Sequence, residues 1–114
     1  MTRTRAQEKG DDAESRAAAH LARRGLVVVE RNARAGRGEL DLVARDGDVV
    51  VFVEVRRRKT RVDALESIGP RKQQLLARAA SLWLARHAPL SRARFDVVVV
   101  VGERVEHFVD AFRP

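Results

Sequence analysis

The sequence predicts an α/β fold, with elements in the order α-β-β-β-α-β-β and a central mixed sheet flanked by helices. Three observations predict it. Apolar residues recur at helical spacing in two stretches, near 13–24 and 65–87. β-Branched runs, among them VVVFV at 49–53 and VVVVV at 97–101, have the length and composition of buried strands. Between two apolar runs stands Asp46-Gly47, the strongest short hairpin signal a sequence carries.

In chain order, Asp11 or Asp12 caps a helix from about Ala13 to Arg24, which Gly25 closes. Ala17, Ala18 and Leu21 form its inward stripe, and Glu14 falls on that stripe rather than on the solvent side. A first-turn glutamate also suits the helix dipole, which alone accounts for it. Leu26–Glu30 reads as a short strand, and RNARAGRG at 31–38 as a turn-rich loop. Glu39–Ala44 and Val49–Val55 form the hairpin around Asp46-Gly47. The second long helix covers Leu65–His87, its regular part starting near Pro70, with Trp83 in the core. Pro89 ends it, Arg94–Val101 is a buried strand, and Gly102-Glu103 turns into a last strand, Arg104–Phe108. Asp96 interrupts the buried strand as an interior polar anchor. His20, His87 and His107 show no mutual ligand spacing and read as ordinary histidines.

A chain of 114 residues corresponds to one domain, expected over 13–114 behind a disordered segment at 1–12. Without cysteine, neither a disulfide framework nor a thiolate zinc site is open to it. Its apolar runs are too short to span a bilayer, and Met1–Gly10 lacks the apolar core of a secretory signal. These features read as a cytoplasmic protein with no membrane partner. The formal charge of +7 favours a polyanion, and RRRKTR at 56–61 is the clearest basic cluster. Arginine outnumbers lysine twenty to three, as a GC-rich genome also produces, so composition divides evenly between nucleic-acid binding and codon bias.

The hairpin carries the chemistry. With Asp46 and Gly47 as its two turn residues, Ala44 faces Val49, Asp41 faces Phe52 and Glu39 faces Glu54. Glu39, Asp41, Phe52, Glu54 and Arg56 then project from one side, and Leu40, Leu42, Val51, Val53 and Val55 from the other. Asp41 and Glu54 become diagonal neighbours, with Cβ atoms roughly 6–8 Å apart. Like charges converging on a half-buried face repel each other, and a magnesium or manganese ion held through carboxylate oxygens removes that cost. Ion pairing of the acids with neighbouring arginines on a solvated face is the competing account. Lys72 falls on the helix stripe, from which its ammonium either snorkels to the surface or turns toward the acids.

Taken together, Glu14-x-x-Ala17 with Leu21 and Gly25, Arg31-Asn32, GELDLVA at 38–44, FVEVRRR at 52–58, PRKQ at 70–73, RFDVV at 94–98 and Ala111-Phe112 resemble the YraN family of small bacterial proteins. That family falls in the PD-(D/E)XK nuclease-like superfamily, alongside archaeal Holliday-junction resolvases. The resemblance covers Gly10–Phe112 and implies a restriction-endonuclease-like core. It implies a metal-dependent DNA endonuclease or resolvase-like phosphodiester hydrolase, with Asp41, Glu54 and the backbone carbonyl of Val55 as ligands to Mg2+ or Mn2+. Glu14 and Glu39 would support them, Arg56 and Lys72 would contact phosphate, and Arg57, Arg58, Lys59 and Arg61 would grip the DNA backbone. A resolvase acting on a two-fold junction would be a homodimer. Two departures stand out. Arg56 replaces the superfamily lysine and cannot serve as a base, and Val62-Asp63 replaces an aromatic-glycine pair. Two other classes compete: a noncatalytic nucleic-acid-binding module on the same fold, and a protein-interaction domain whose basic surface meets an acidic partner.

Overall fold

A computed structural model describes residues 4–114. Five strands form one sheet in the order β1-β2-β3-β4-β5: β1 Val27–Ala35, β2 Gly38–Asp46, β3 Val49–Arg57, β4 Ala93–Val101 and β5 Arg104–Phe112. Only β3 and β4 run parallel, so the sheet is mixed as expected. The helices are α1 Arg5–Arg23, α2 Arg61–Glu66 and α3 Pro70–His87, and the last two form the crossover between the parallel strands.

α1 covers one face, packing Ala17 and Leu21 on Leu42, Ala44, Val51, Val53 and Val98. α2 and α3 cover the other, where Ala64, Leu76, Ala80 and Trp83 meet Val43, Val50, Phe52, Val97 and Val99. β3 and the middle of β4 are therefore buried on both faces, which is why they read as unbroken apolar runs.

Several boundaries differ from the expectation. α1 begins at Arg5 rather than Ala13, because Thr4 and Gln7 form a capping box well upstream of the aspartates. Residues 5–12, expected to be disordered, are thus its opening turns; residues 1–3 lie outside the described residues. The second helical stretch is two helices, split where Ser67, Ile68 and Gly69 precede Pro70. β1 runs through most of the expected loop, since Asn32 takes a left-handed conformation (φ 52°) inside the strand instead of ending it. β5 extends to Phe112.

The β2–β3 turn is centred one residue later than expected. Asp46 pairs with Val49, so Gly47 (φ 61°) and Asp48 are the turn residues, a geometry suited to glycine in first position. The pairing becomes Val43 with Phe52 and Leu42 with Val53. Alternation survives this shift, and Phe52, Glu54 and Arg56 keep their common face. Leu40 does not keep its expected side. It joins Ala33 in the α3-side cluster while Leu42 stays on the α1 side, so both strands rotate at the left-handed Asn32 and its neighbour Asp41.

Candidate metal centre

The ladder between β2 and β3 is continuous from the turn as far as Leu42 and Val53. One step further, where Asp41 and Glu54 would face each other, the backbones part. Asp41 closes the gap with its side chain, Oδ2 accepting the Val55 N–H at 2.9 Å. Main-chain N–H and C=O of one strand residue point to the same edge, so the Val55 carbonyl faces this opening too. The acids stand there because the sheet splits there.

Glu54 is only 5% exposed. Its Oε2 accepts from Arg56 Nη2 at 2.8 Å and lies 3.7 Å from Lys72 Nζ, so of the two fates open to Lys72 the ammonium takes the one toward the acids. Burial, then the charge and hydrogen bonding of Asp41, push the Glu54 carboxyl up to about 8 against Arg56 and Lys72. Glu14 enters from α1. Burial and then Asp41 raise its pKa, opposed by the Asn32 side chain and Arg31, and Glu39 adds to the rise. Glu14 Oε1 is buried without a hydrogen-bond donor, its nearest cation being Arg31 Nη2 at 4.0 Å.

Glu14, Asp41, Glu54, Val55, Arg56 and Lys72 thus converge on one cleft of about 430 Å³ beneath the start of α1. Glu39 is exposed and lines an adjoining cleft of about 330 Å³ with Asp41 and Lys72. The four cations expected to grip a backbone divide. Arg57 is engaged by Asp12 and the Lys9 carbonyl, and Arg61 by Glu106, all at 3.2 Å. Arg58 and Lys59 are exposed with no acidic partner among the described residues.

The donor set suits a hard divalent cation. It offers two carboxylates held in each other's field, a main-chain carbonyl at the same opening and an orphaned carboxylate oxygen on Glu14. No three His, Cys, Asp or Glu among the described residues converge into an all-protein cage. Magnesium does not require one, since it is commonly held by one or two carboxylates with water and substrate phosphate completing the shell.

Two features escaped the sequence reading. Asn32 supplies both the strand twist at Asp41 and a side-chain interaction with Glu14; the sequence marked it through the Arg31-Asn32 motif and the tolerance of asparagine for positive φ, neither of which gives it this role. His20 and His107, read as unrelated, meet edge to face with ring centroids 6.3 Å apart. His107 Nε2 lies 2.7 Å from Asp96, which also accepts from Arg94 and the Asp110 N–H, making Asp96 the interior anchor expected.

Comparison with known proteins gives the chain a family. Residues 13–100 match the profile described as Uncharacterised protein family UPF0102. A UPF0102 protein of Halorhodospira halophila is 50% identical over 114 residues, covering 98% of this chain and 93% of its own. One from Alkalilimnicola ehrlichii is 51% identical over 109 residues, covering 92% and 86%. One from Pseudomonas aeruginosa is 50% identical over 102 residues, covering 86% and 82%. The chain belongs to the UPF0102 family, the YraN family whose motifs its sequence carries.

Proposed function

We propose that this protein is a metal-dependent endonuclease that hydrolyses phosphodiester bonds in DNA, with Mg2+ or Mn2+ at Asp41 and Glu54. One observation carries the reading: a carboxylate pair recessed where the sheet splits, with a third, orphaned carboxylate oxygen on Glu14 and cations around it. No packing role calls for such a group, because gathering carboxyls in a recess costs stability even where neighbouring cations offset part of it.

Asp41, Glu54 and the Val55 carbonyl would hold the ion, which when bound lowers the pKa of a water and withdraws charge from the scissile phosphate. The chain's own residues do the rest. Glu14 offers an acceptor to a water lying beside the pair. Arg56 and Lys72 offer donors to the non-bridging phosphate oxygens as charge builds on them. Arg56 cannot take a proton, so Lys72, whose ammonium lies 3.7 Å from Glu54, stands in for the superfamily lysine. Arg58 and Lys59 contribute non-specific backbone attraction, and Arg57 and Arg61 join them only by leaving Asp12 and Glu106.

The test is cleavage of labelled branched, single-stranded and duplex DNA in magnesium, manganese or EDTA. Asp41→Ala should lower the metal-dependent rate by at least about a hundredfold while retaining DNA binding. Arg56 in the lysine position favours a second reading, a binding module that has lost the chemistry. DNA affinity indifferent to EDTA and to Asp41→Ala, without products, would establish that reading instead.

A further inference from the structure

The carboxylates stand between two clefts rather than at the end of one. The α1-side cleft of about 430 Å³ is walled by Lys9, Arg57 and Arg58, and the hairpin-side cleft of about 330 Å³ by Arg37, Glu39 and Leu75. Asp41 and Lys72 line both. Each cleft therefore carries a cation of its own, Arg37 beside Glu39 on the hairpin side and Lys9, Arg57 and Arg58 on the α1 side, and the candidate metal site lies on the saddle between them.

The hairpin-side wall is built rather than incidental. Gly38, which lines this cleft, brings the β1–β2 hairpin so near α3 that a Cβ there would lie 3.0 Å from Ala79 Cβ. Arg37 at the hairpin tip is exposed and has no acidic partner among the described residues. Leu75 is 49% exposed and gives the same cleft an apolar surface beside that cation.

We propose that the substrate is a single-stranded nucleic-acid segment crossing the carboxylates, entering along Lys9 and Arg58 and leaving along Arg37 and Leu75. This rests on the nuclease reading and narrows it. A duplex is a stiff convex rod that holds its phosphates at fixed spacing, so it follows poorly a path that enters one cleft, crosses the carboxylates and leaves by the other. A single strand can follow the saddle. Its unpaired bases also present apolar faces to Leu75, which a duplex keeps stacked inside. Because chain continues on both sides of the saddle, cleavage falls within a strand rather than at its end.

Fluorescence anisotropy in EDTA tests this with labelled 20-mers of dT and rU and a 20-base-pair duplex, across a salt series. The comparison variants are Arg37→Ala and Arg45→Ala. Arg45 is an exposed arginine on β2 beside the β2–β3 turn, also without an acidic partner among the described residues, so its removal changes net charge identically. Single strands should bind at least about tenfold more tightly than the duplex. Arg37→Ala should make the slope of log affinity against log salt shallower by about 0.7, the value for one phosphate contact on a single strand. Arg45→Ala should leave the slope unchanged. Equal affinity for the duplex, or equal slopes in the two variants, would overturn the proposal while leaving the nuclease reading intact. Binding of dT and rU alike supports a track that reads phosphate and base faces without the 2′-hydroxyl. Failure to bind any nucleic acid, with no cleavage, would overturn both.

Discussion

Asp96 and Glu54 are the two buried carboxylates among the described residues, and their surroundings give them opposite characters. Asp96 is fully enclosed, yet Arg94 reaches both its oxygens, His107 reaches one and the Asp110 N–H the other. Burial alone would raise its pKa, but hydrogen bonds from His107, Arg94 and Asp110 outweigh it and hold the carboxyl below its ordinary value. Glu54 receives both its cations at one oxygen and has a second carboxylate beside it, so its pKa rises. The saturated acid anchors the sheet, whereas the strained one has capacity left for a ligand. Asp96→Ala should therefore cost about 3–5 kcal/mol in urea unfolding, because Arg94 and His107 lose a shared buried partner. A cost below about 1 kcal/mol would show that the network contributes little.

The elements that hold the site were legible where the signal was local and periodic. Phe52, Glu54 and Arg56 share a face in any register that keeps a two-residue turn, so centring the turn on Gly47-Asp48 left that assignment intact. What changed is the partner: the ladder ends at Leu42 and Val53, and Asp41 meets β3 through its side chain, at the Val55 N–H. The hidden parts are those decided by distant contacts. RNARAGRG carries turn residues, yet β1 runs through it because it pairs with β2 and Ala33 packs into the α3-side core. Likewise, nothing in the spacing of His20 and His107 announces that α1 and β5 meet. The start of α1 was hidden by Gly10, a poor helix former lying well inside it. The contact between hairpin and α3 can be tested directly. Gly38→Ala should destabilise the fold, since Ala79 is fixed on its helix and cannot yield as a flexible side-chain tip would. Combining it with Ala79→Gly should recover about 0.5–1 kcal/mol of coupling in a double-mutant cycle. Strict additivity would mean that the hairpin shifts freely on α3.

At the scale of the whole molecule, the site links titration to global stability. Glu54 binds its proton more tightly in the folded chain, near pH 8, than in the unfolded one, near 4.5. The stability contributed by its protonated form is complete below about 4.5 and is lost as pH rises toward 8. Glu14, also raised, acts in the same direction. His20 acts oppositely: burial, then the charges of Arg24, His107 and Arg23, lower its pKa, so its contribution is present above the unfolded value of 6.5 and fades below it. Asp96, lowered from 3.8, likewise matters only in acid. Between pH 6.5 and 8, then, Glu54 dominates the slope. In EDTA the protein should lose stability across that range, by at most about 1.4 kcal/mol per pH unit for one proton. Glu54→Gln, which cannot ionise, should flatten most of that slope without unfolding the chain. On the proposed metal reading magnesium or manganese would bind the ionised acids, so adding either should raise the melting temperature more at pH 8 than at pH 6.5. A melting temperature that rises with pH in EDTA, or a slope that Glu54→Gln leaves untouched, would mean that Arg56 and Lys72 already keep Glu54 ionised. The ion pair would then be the ground state of the site, and any metal would have to displace it.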